Sequence, residues 1–226
     1  MNRFFVSEKQ GNCFVLSKET LKHLKVIRAY DKPFICVYQE VFYKCVLEND
    51  LAKILEKIDE NHEPQNDVVL ALAVIKLDRF EWALQKAVEL GATQIIPLRT
   101  QFTNHELISF NKFAKKYERF QAILQNASEQ SFRNKIPVLH GLTDFTNAIK
   151  LQYTNKILAH EKVNVTEKLN QPIEGDTIFF VGPEGGFSDD EINLAIKNNI
   201  KLVSLGSRIL RAETAAIFLL SQMKID

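Results

Sequence analysis

Apolar residues change their spacing along this chain near residue 61. Before that point they come in short β-rich runs: Arg3 to Val6, Gly11 to Leu16, Pro33 to Tyr38 and Val41 to Leu47. A helix over Ser17 to Arg28, with Ser17 as its N-cap, interrupts them. The polar, proline-bearing segment Asn61-His62-Glu63-Pro64-Gln65-Asn66-Asp67 then separates two textures. We therefore expect a small β-barrel domain over 1–66 and a second domain over 67–226. The second domain opens on Val68 to Ile75 (VVLALAVI), a continuous apolar run suited to a parallel strand buried on both faces. Strand and helix patterns alternate after it: helix Arg79 to Leu90, strand Gln94 to Pro97, helix Phe110 to Gln130, strand Lys156 to His160. That alternation predicts an α/β fold with a parallel sheet.

Two helices show what they bury. Phe110, Phe113, Tyr117, Phe120, Leu124 and Ala127 recur at three- and four-residue steps and predict a core-facing stripe. The last helix, Ala212 to Lys224, is apolar on almost every side through Leu220. Such a helix needs cover all round, from a second subunit or from its own chain.

The densest chemistry lies near the C-terminus. Thr177 to Val181 (TIFFV) reads as a buried strand, followed by Gly182-Pro183-Glu184-Gly185-Gly186-Phe187. Ser188 with Glu191 three residues on is a capping box, so a helix starts there. Glycines permit positive φ and close approach of a ligand to the backbone, and a helix start presents unpaired amides. About twenty residues later the arrangement repeats. Leu202 to Leu205 is a strand, Gly206 to Leu210 a loop, and Arg211 and Glu213 flank the start of the last helix. In open α/β sheets ligands bind beyond the carboxyl ends of the strands, where such loops gather, so the two loops predict one shared pocket. Arg211 and Glu213 have a plainer alternative, a surface ion pair worth little. Glu184 has two readings as well, a helix cap or a ligand contact. His160, at a strand end, is read either as a base or as a structural histidine.

Composition narrows the class. The chain has 226 residues, 46% hydrophobic and 25% charged, with a net charge of +1. No apolar run approaches the ~20 residues of a membrane span, and the N-terminus carries no secretory pattern. Cys13, Cys36 and Cys45 are odd in number and lack CxxC spacing, which argues against a disulfide framework or zinc site and for a reducing cytoplasm. No metal site is expected. Charge is uneven: residues 1–47 hold eight Lys/Arg against four acids, and residues 99–135 seven against three. These two regions are candidate RNA-facing surfaces, with solvated faces as the alternative.

Taken together, Gly182 to Ile192 (GPEGGFSDDEI) and Leu205 to Ala216 (LGSRILRAETAA) resemble the C-terminal signature of SPOUT methyltransferases. The resemblance extends through Met1 to Val6, His23 to Arg28 (HLKVIR), Gln85 to Gly91 (QKAVELG) with Pro97, and Ala127 to Ser131 with Arg133. Those segments narrow it to the ribosomal RNA small subunit methyltransferase E family. One departure stands at Gln101-Phe102-Thr103, where that family usually carries an arginine. The resemblance implies a PUA-like RNA-binding barrel followed by a trefoil-knotted parallel sheet. It implies S-adenosylmethionine as cofactor, N3 of a uridine in 16S rRNA as acceptor, and a homodimer; the implied substrate is that rRNA in the assembled small subunit, with free rRNA as the alternative. The implied cofactor residues are Leu158, Ala159, His160, Gly182, Pro183, Glu184, Gly185, Gly186, Leu205, Gly206, Ile209, Leu210, Thr214 and Ala215. Arg211 and Glu213 are the implied catalytic pair, and Arg3, Lys22, Lys25, Arg28 and Arg133 the implied RNA contacts. A non-catalytic RNA-binding module and a ribose 2′-O-methyltransferase are the competing readings.

Overall fold

The computed structural model describes residues 1–29, 32–109, 112–161 and 172–224. The chain divides into two compact units, Met1–Glu63 with Gln125–Ile136, and Pro64–Leu124 with Pro137–Asp226.

In the first unit, six strands form one sheet among the described residues: β1 (Arg3–Phe5), β2 (Lys9–Gln10), β3 (Cys13–Val15), β4 (Phe34–Tyr38), β5 (Val41–Glu48) and β6 (Leu51–Ile58). Their order is β1-β4-β5-β6-β3-β2, antiparallel except for β1 beside β4. The region expected as a small β-barrel forms a half-barrel sheet, with β1 and β2 at its two edges among the described residues. Helix α1 (Lys18–Val26) starts where expected: the Ser17 hydroxyl accepts from the Thr20 amide. Leu24 of α1 joins Phe4, Phe14, Phe34, Cys36, Cys45 and Ala52 in the unit's core. Strand β6 lies outside the β-rich runs read from sequence, the last of which ends at Leu47. Asn49 and Asp50 both have positive φ (51° and 58°), as a two-residue hairpin turn requires.

The second unit holds β7 (Val68–Ala73), α2 (Leu77–Glu89), β8 (Gln94–Arg99), the first turns of α3 (Tyr117–Gln130), β9 (Val138–Leu139), β10 (Thr143–Asp144), α4 (Phe145–Ala148), β11 (Asn155–Ala159), β12 (Thr177–Val181), α5 (Asp189–Lys197), β13 (Lys201–Val203) and α6 (Ala212–Leu220). All strand pairs in its sheet are parallel, in the order β10-β8-β7-β12-β11-β13, with β9 also on β8. β7 and β12 are buried at every position, which explains their unbroken apolar sequences: each has a strand on both sides and apolar packing on both faces. The expected helix over 110–130 is shorter. Phe110 lies outside the described residues, a single 3-10 turn covers Ala114–Lys116, and α3 begins at Tyr117. Phe113 and Phe120 do face inward, edge-on to Phe80 of α2. α6 ends at Leu220, and it packs on α2, β7 and β12, so most of its apolar surface is covered within its own chain.

Candidate active site

The loops after β11, β12 and β13 surround a cavity of about 310 Å³ at the carboxyl ends of those strands. Its floor and walls are Ala159, His160 and Glu161, then Val181 to Glu184 with Gly186 and Phe187, then Ser204 to Gly206 and Arg208 to Ala212, and Ala215.

Local chemistry fixes each wall. The glycine turn closes on a hydrogen bond from the Gly186 amide to the Pro183 carbonyl (2.9 Å). Gly186 takes φ +71°, and a Cβ there would meet the Glu161 carboxylate at 3.4 Å. A Cβ on Gly182 would stand 3.1 Å from both the Gly186 backbone and the Phe187 ring. Gly186 therefore needs glycine for its backbone angle, and a side chain at Gly182 would force the turn or the Phe187 ring to shift. The turn ends in the expected capping box: the Ser188 hydroxyl accepts from the Glu191 amide, and the Glu191 carboxylate accepts from the Ser188 amide. Across the cavity, Gly206 has φ +118°, and its amide donates to the Ser204 hydroxyl (3.4 Å). Arg211 occupies the N-cap of α6, exposed and on the cavity wall.

Charge ties two of these loops to α2. Arg79 lies 3.7 Å from Glu184 of the glycine turn and 3.9 Å from Glu213 of α6. Glu213 is only 7% exposed, and a buried carboxylate needs such a countercharge. The alternative read from sequence, a surface ion pair between Glu213 and Arg211, gives way to Arg79 as the cation beside Glu213. A signal for Arg79 was available. It lies in the first turn of α2, where the helix dipole disfavours a cation, so its presence there needs another reason.

Of the residues expected at the cofactor, Ala159, His160, Gly182, Pro183, Glu184, Gly186, Leu205, Gly206, Ile209, Leu210 and Ala215 meet at this cavity. Three do not line it. Leu158 is fully buried in the sheet core, Gly185 backs onto Phe102, and Thr214 is exposed on α6. Ile209 lines the cavity but is 89% exposed, so its side chain stands open to solvent. Glu161, Val181, Phe187, Ser204, Arg208 and Ala212 also line it and were not named from sequence.

The RNA-contact set separates by exposure. Lys22 and Lys25 are exposed on α1, and Arg28 follows that helix at φ +51°. Arg3 donates to the carbonyls of Glu129 and Gln130 and lies over the Phe132 ring. Arg133 is corrected to a structural role: it is 4% exposed, and its guanidinium grips the Glu63 carboxylate at 2.5–3.0 Å. Burial pushes the Glu63 carboxyl up, but the Arg133 bonds and charge, with the Lys135 and Asn134 amides, hold it below its ordinary value. The basic count over 99–135 also overstated what faces solvent unpaired. Arg99 meets Asp144, Lys112 meets Glu106, Arg119 meets Glu81, and Lys135 meets Glu40.

Comparison with known proteins agrees with this geometry. The family model described as "RNA methyltransferase domain" matches residues 61–224. The ribosomal RNA small subunit methyltransferase E of Mesomycoplasma hyopneumoniae is 42% identical over 227 residues, covering 98% of each chain. The Bacillus subtilis protein of the same name is 28% identical, covering 98% of this chain and 95% of its own. A crystal structure of the Neisseria gonorrhoeae enzyme of that name, bound to S-adenosylmethionine, superposes with a TM-score of 0.84 at 27% identity, covering 98% of this chain and 95% of that one. A whole-length match at 42% identity, together with a parallel sheet whose glycine loops converge on one cavity, places this chain in the ribosomal RNA small subunit methyltransferase E family.

Proposed function

We propose that this protein transfers a methyl group from S-adenosylmethionine to N3 of a uridine in the 16S rRNA of the small ribosomal subunit. The observation that carries the reading is the cavity itself: three loops from adjacent parallel strands meet with Arg211 at their rim. The residues fit the cofactor. Gly182 and Gly186 keep the backbone bare where a Cβ would intrude, and Val181, Leu205, Leu210 and Ala215 offer apolar surface for an adenine. When bound, the cofactor supplies an electrophilic methyl on a sulfonium.

The chain's own residues must do the rest. The acceptor nitrogen has to be held in line, roughly 3–3.5 Å from the carbon it attacks. Uracil N3 carries a proton, and as that proton leaves, negative charge spreads to the ring oxygens. Arg211, permanently charged and at the rim, is placed to stabilise that charge and orient the base. Arg79 holds Glu184 and Glu213 and so positions both loops without touching the base.

The finer architecture belongs to the same proposal. The first unit serves as a PUA-like RNA-binding domain through the exposed lysines of α1. After edge strand β13 the chain returns to pack α6 on β7 and β12, which supports a trefoil knot. Trp82 of α2 (44% exposed) and Phe218 of α6 (39%) sit on neighbouring helices and support a homodimer through that face. Among the described residues no helix is long and apolar enough to cross a membrane, and the assembled subunit in the cytoplasm is the proposed setting.

The test is mapping of base modifications in 16S rRNA from cells with and without the gene, followed by incubation of the unmodified small subunits with purified protein and labelled cofactor. One uridine should lose its N3 methyl in the deletion and regain it in the tube. An unchanged modification map would refute the assignment.

A further inference from the structure

Phe102 is half exposed (50%) although the structure holds its backbone firmly. It sits at the tip of a tight turn after β8. The Thr100 amide donates to the Thr103 hydroxyl (3.0 Å), the two buried hydroxyls bond each other (2.9 Å), and the Thr103 amide returns to the Thr100 carbonyl (3.2 Å). A further tie comes from outside the turn. The Gln101 amide donates to the Glu191 carboxylate (2.9 Å), the same carboxylate that caps α5 behind the glycine turn. Phe102 also lies directly on that turn: a Cβ added at Gly185 would stand 3.2 Å from the Phe102 Cβ.

A single exposed apolar side chain is ordinary and by itself implies nothing, so the placement of this ring carries the argument. Here four hydrogen bonds made by its neighbours Thr100, Gln101 and Thr103 fix the turn that carries the ring, and the turn is indexed to the cofactor loop through Glu191 and through the contact of Phe102 with Gly185. The turn lies at the carboxyl end of β8, at the same end of the parallel sheet as the cavity. Gly186 faces the cavity while its neighbour Gly185 faces Phe102, so the ring flanks the site from the other side of one turn.

We infer that Phe102 is a stacking platform for an unpaired base of the RNA substrate, next to the nucleotide that is methylated. This deepens the function proposed above and rests on it. An aromatic face accepts any base, so Phe102 supplies affinity and placement while leaving the choice of base to other groups. Because its backbone is already ordered, little freedom is lost when a base settles on it. Phe102 is a positioning residue: the reacting atoms lie across the glycine turn.

The test uses the full protein and purified small ribosomal subunits lacking the modification. Phe102→Ala should raise the KM for subunits about fivefold to a hundredfold, the range that loss of one base stack gives, while calorimetric affinity for S-adenosylmethionine stays within about twofold. Phe102→Tyr and Phe102→Trp should restore the KM, and Phe102→Leu should not, because it is apolar but not planar. A second readout does not depend on turnover. In a Trp82→Phe background, Phe102→Trp should show fluorescence quenching on titration with a single-stranded oligouridylate. A normal KM for the alanine variant, or equal rescue by leucine, or unquenched indole fluorescence in the Phe102→Trp variant overturns the stacking role. If the unmodified protein itself leaves subunits unmethylated, the enzyme assignment fails instead, which separates the two outcomes.

Discussion

The Nε of Arg79 lies 3.9 Å from Oε1 of Glu213, joining the first turn of α2 to the first turn of α6. Glu213 is buried and Arg79 is partly exposed, so the arginine brings charge to a carboxylate that cannot reach water freely. Removing it strands that carboxylate. Arg79→Ala should lower unfolding free energy by about 1–3 kcal/mol, the cost of an unsatisfied buried polar group. Glu213→Gln in the same background should recover part of the loss, since a neutral amide tolerates burial better. Urea denaturation of the two single variants and the double variant gives the coupling; strictly additive losses would show that the pair does not interact.

The glycine turn should respond differently at neighbouring positions. Gly186→Val combines a side chain at φ +71° with approach to Glu161 on the cavity wall, so it should abolish measurable cofactor binding. Gly185→Ala instead presses on the Phe102 Cβ and leaves the cavity lining intact. Its effect should fall on RNA binding, with S-adenosylmethionine affinity nearly unchanged by calorimetry. Equal loss of cofactor affinity in both variants would contradict this division.

These residues also show what the sequence alone could convey. Strand β12, the Ser188–Glu191 capping box and the glycine turn were readable because they rest on contacts within a few residues. Burial of β7 and β12 followed from their unbroken apolar runs. Distant pairings were not readable. Nothing local tells that Arg79 meets Glu184 and Glu213 across more than a hundred residues, or that Arg133 is consumed by Glu63. Linear charge counting failed for that reason: the acids that pair with Arg99 and Arg119, namely Asp144 and Glu81, lie outside the counted window. Strand β6 was lost because its exposed face is charged, although the Asn49-Asp50 turn was a usable hairpin signal.

The Glu63–Arg133 pair sets an acid limit for the first unit. Its members are 8% and 4% exposed, and breaking a buried pair by removing one partner typically costs about 3–5 kcal/mol. Arg133→Ala should approach that loss, with no change in the salt dependence of RNA binding. The folded-state value of Glu63 is depressed, so its contribution is complete above the unfolded value near ~4.3 and fades as pH falls through the lower folded value. The stability gap between wild type and Glu63→Gln should therefore be constant at neutral pH and narrow below about pH 4. A gap that stays constant down to about pH 2 would rule out the ionised pair as its source.

Lys22 and Lys25 test the RNA role of the first unit. Both are exposed on α1, away from the buried Leu24. Replacing both by glutamate should weaken binding of small-subunit rRNA and flatten its dependence on salt, because each lost phosphate contact removes roughly 0.7–0.9 from the logarithmic slope. Cofactor affinity should not move. An unchanged salt slope would place the RNA elsewhere on the protein.

The proposed mechanism turns on Arg211, and its replacement tests it. It caps α6 at the rim of the cavity, with its side chain exposed rather than committed to the helix end it precedes. Glu213, the nearest acid along the chain, faces Arg79 and leaves Arg211 to the cavity. As uracil N3 gives up its proton, a fixed cation near the ring oxygens gains strength in the transition state that it lacks with the neutral base. Such preorganised charge is typically worth about 2.7–4 kcal/mol. Arg211→Ala should accordingly slow single-turnover methyl transfer by roughly a hundredfold to a thousandfold, with cofactor affinity little changed. Lysine should restore only part of the rate, since it keeps the charge but not the planar fork. Because the lost interaction belongs to the anion, raising the pH should narrow the deficit of the alanine variant as more uracil ionises in solution. A folded alanine variant that transfers methyl at the normal rate, with subunits and cofactor saturating, would leave Arg211 a structural residue and move the search for the anion's partner to Arg208, the neighbouring cation on the same wall.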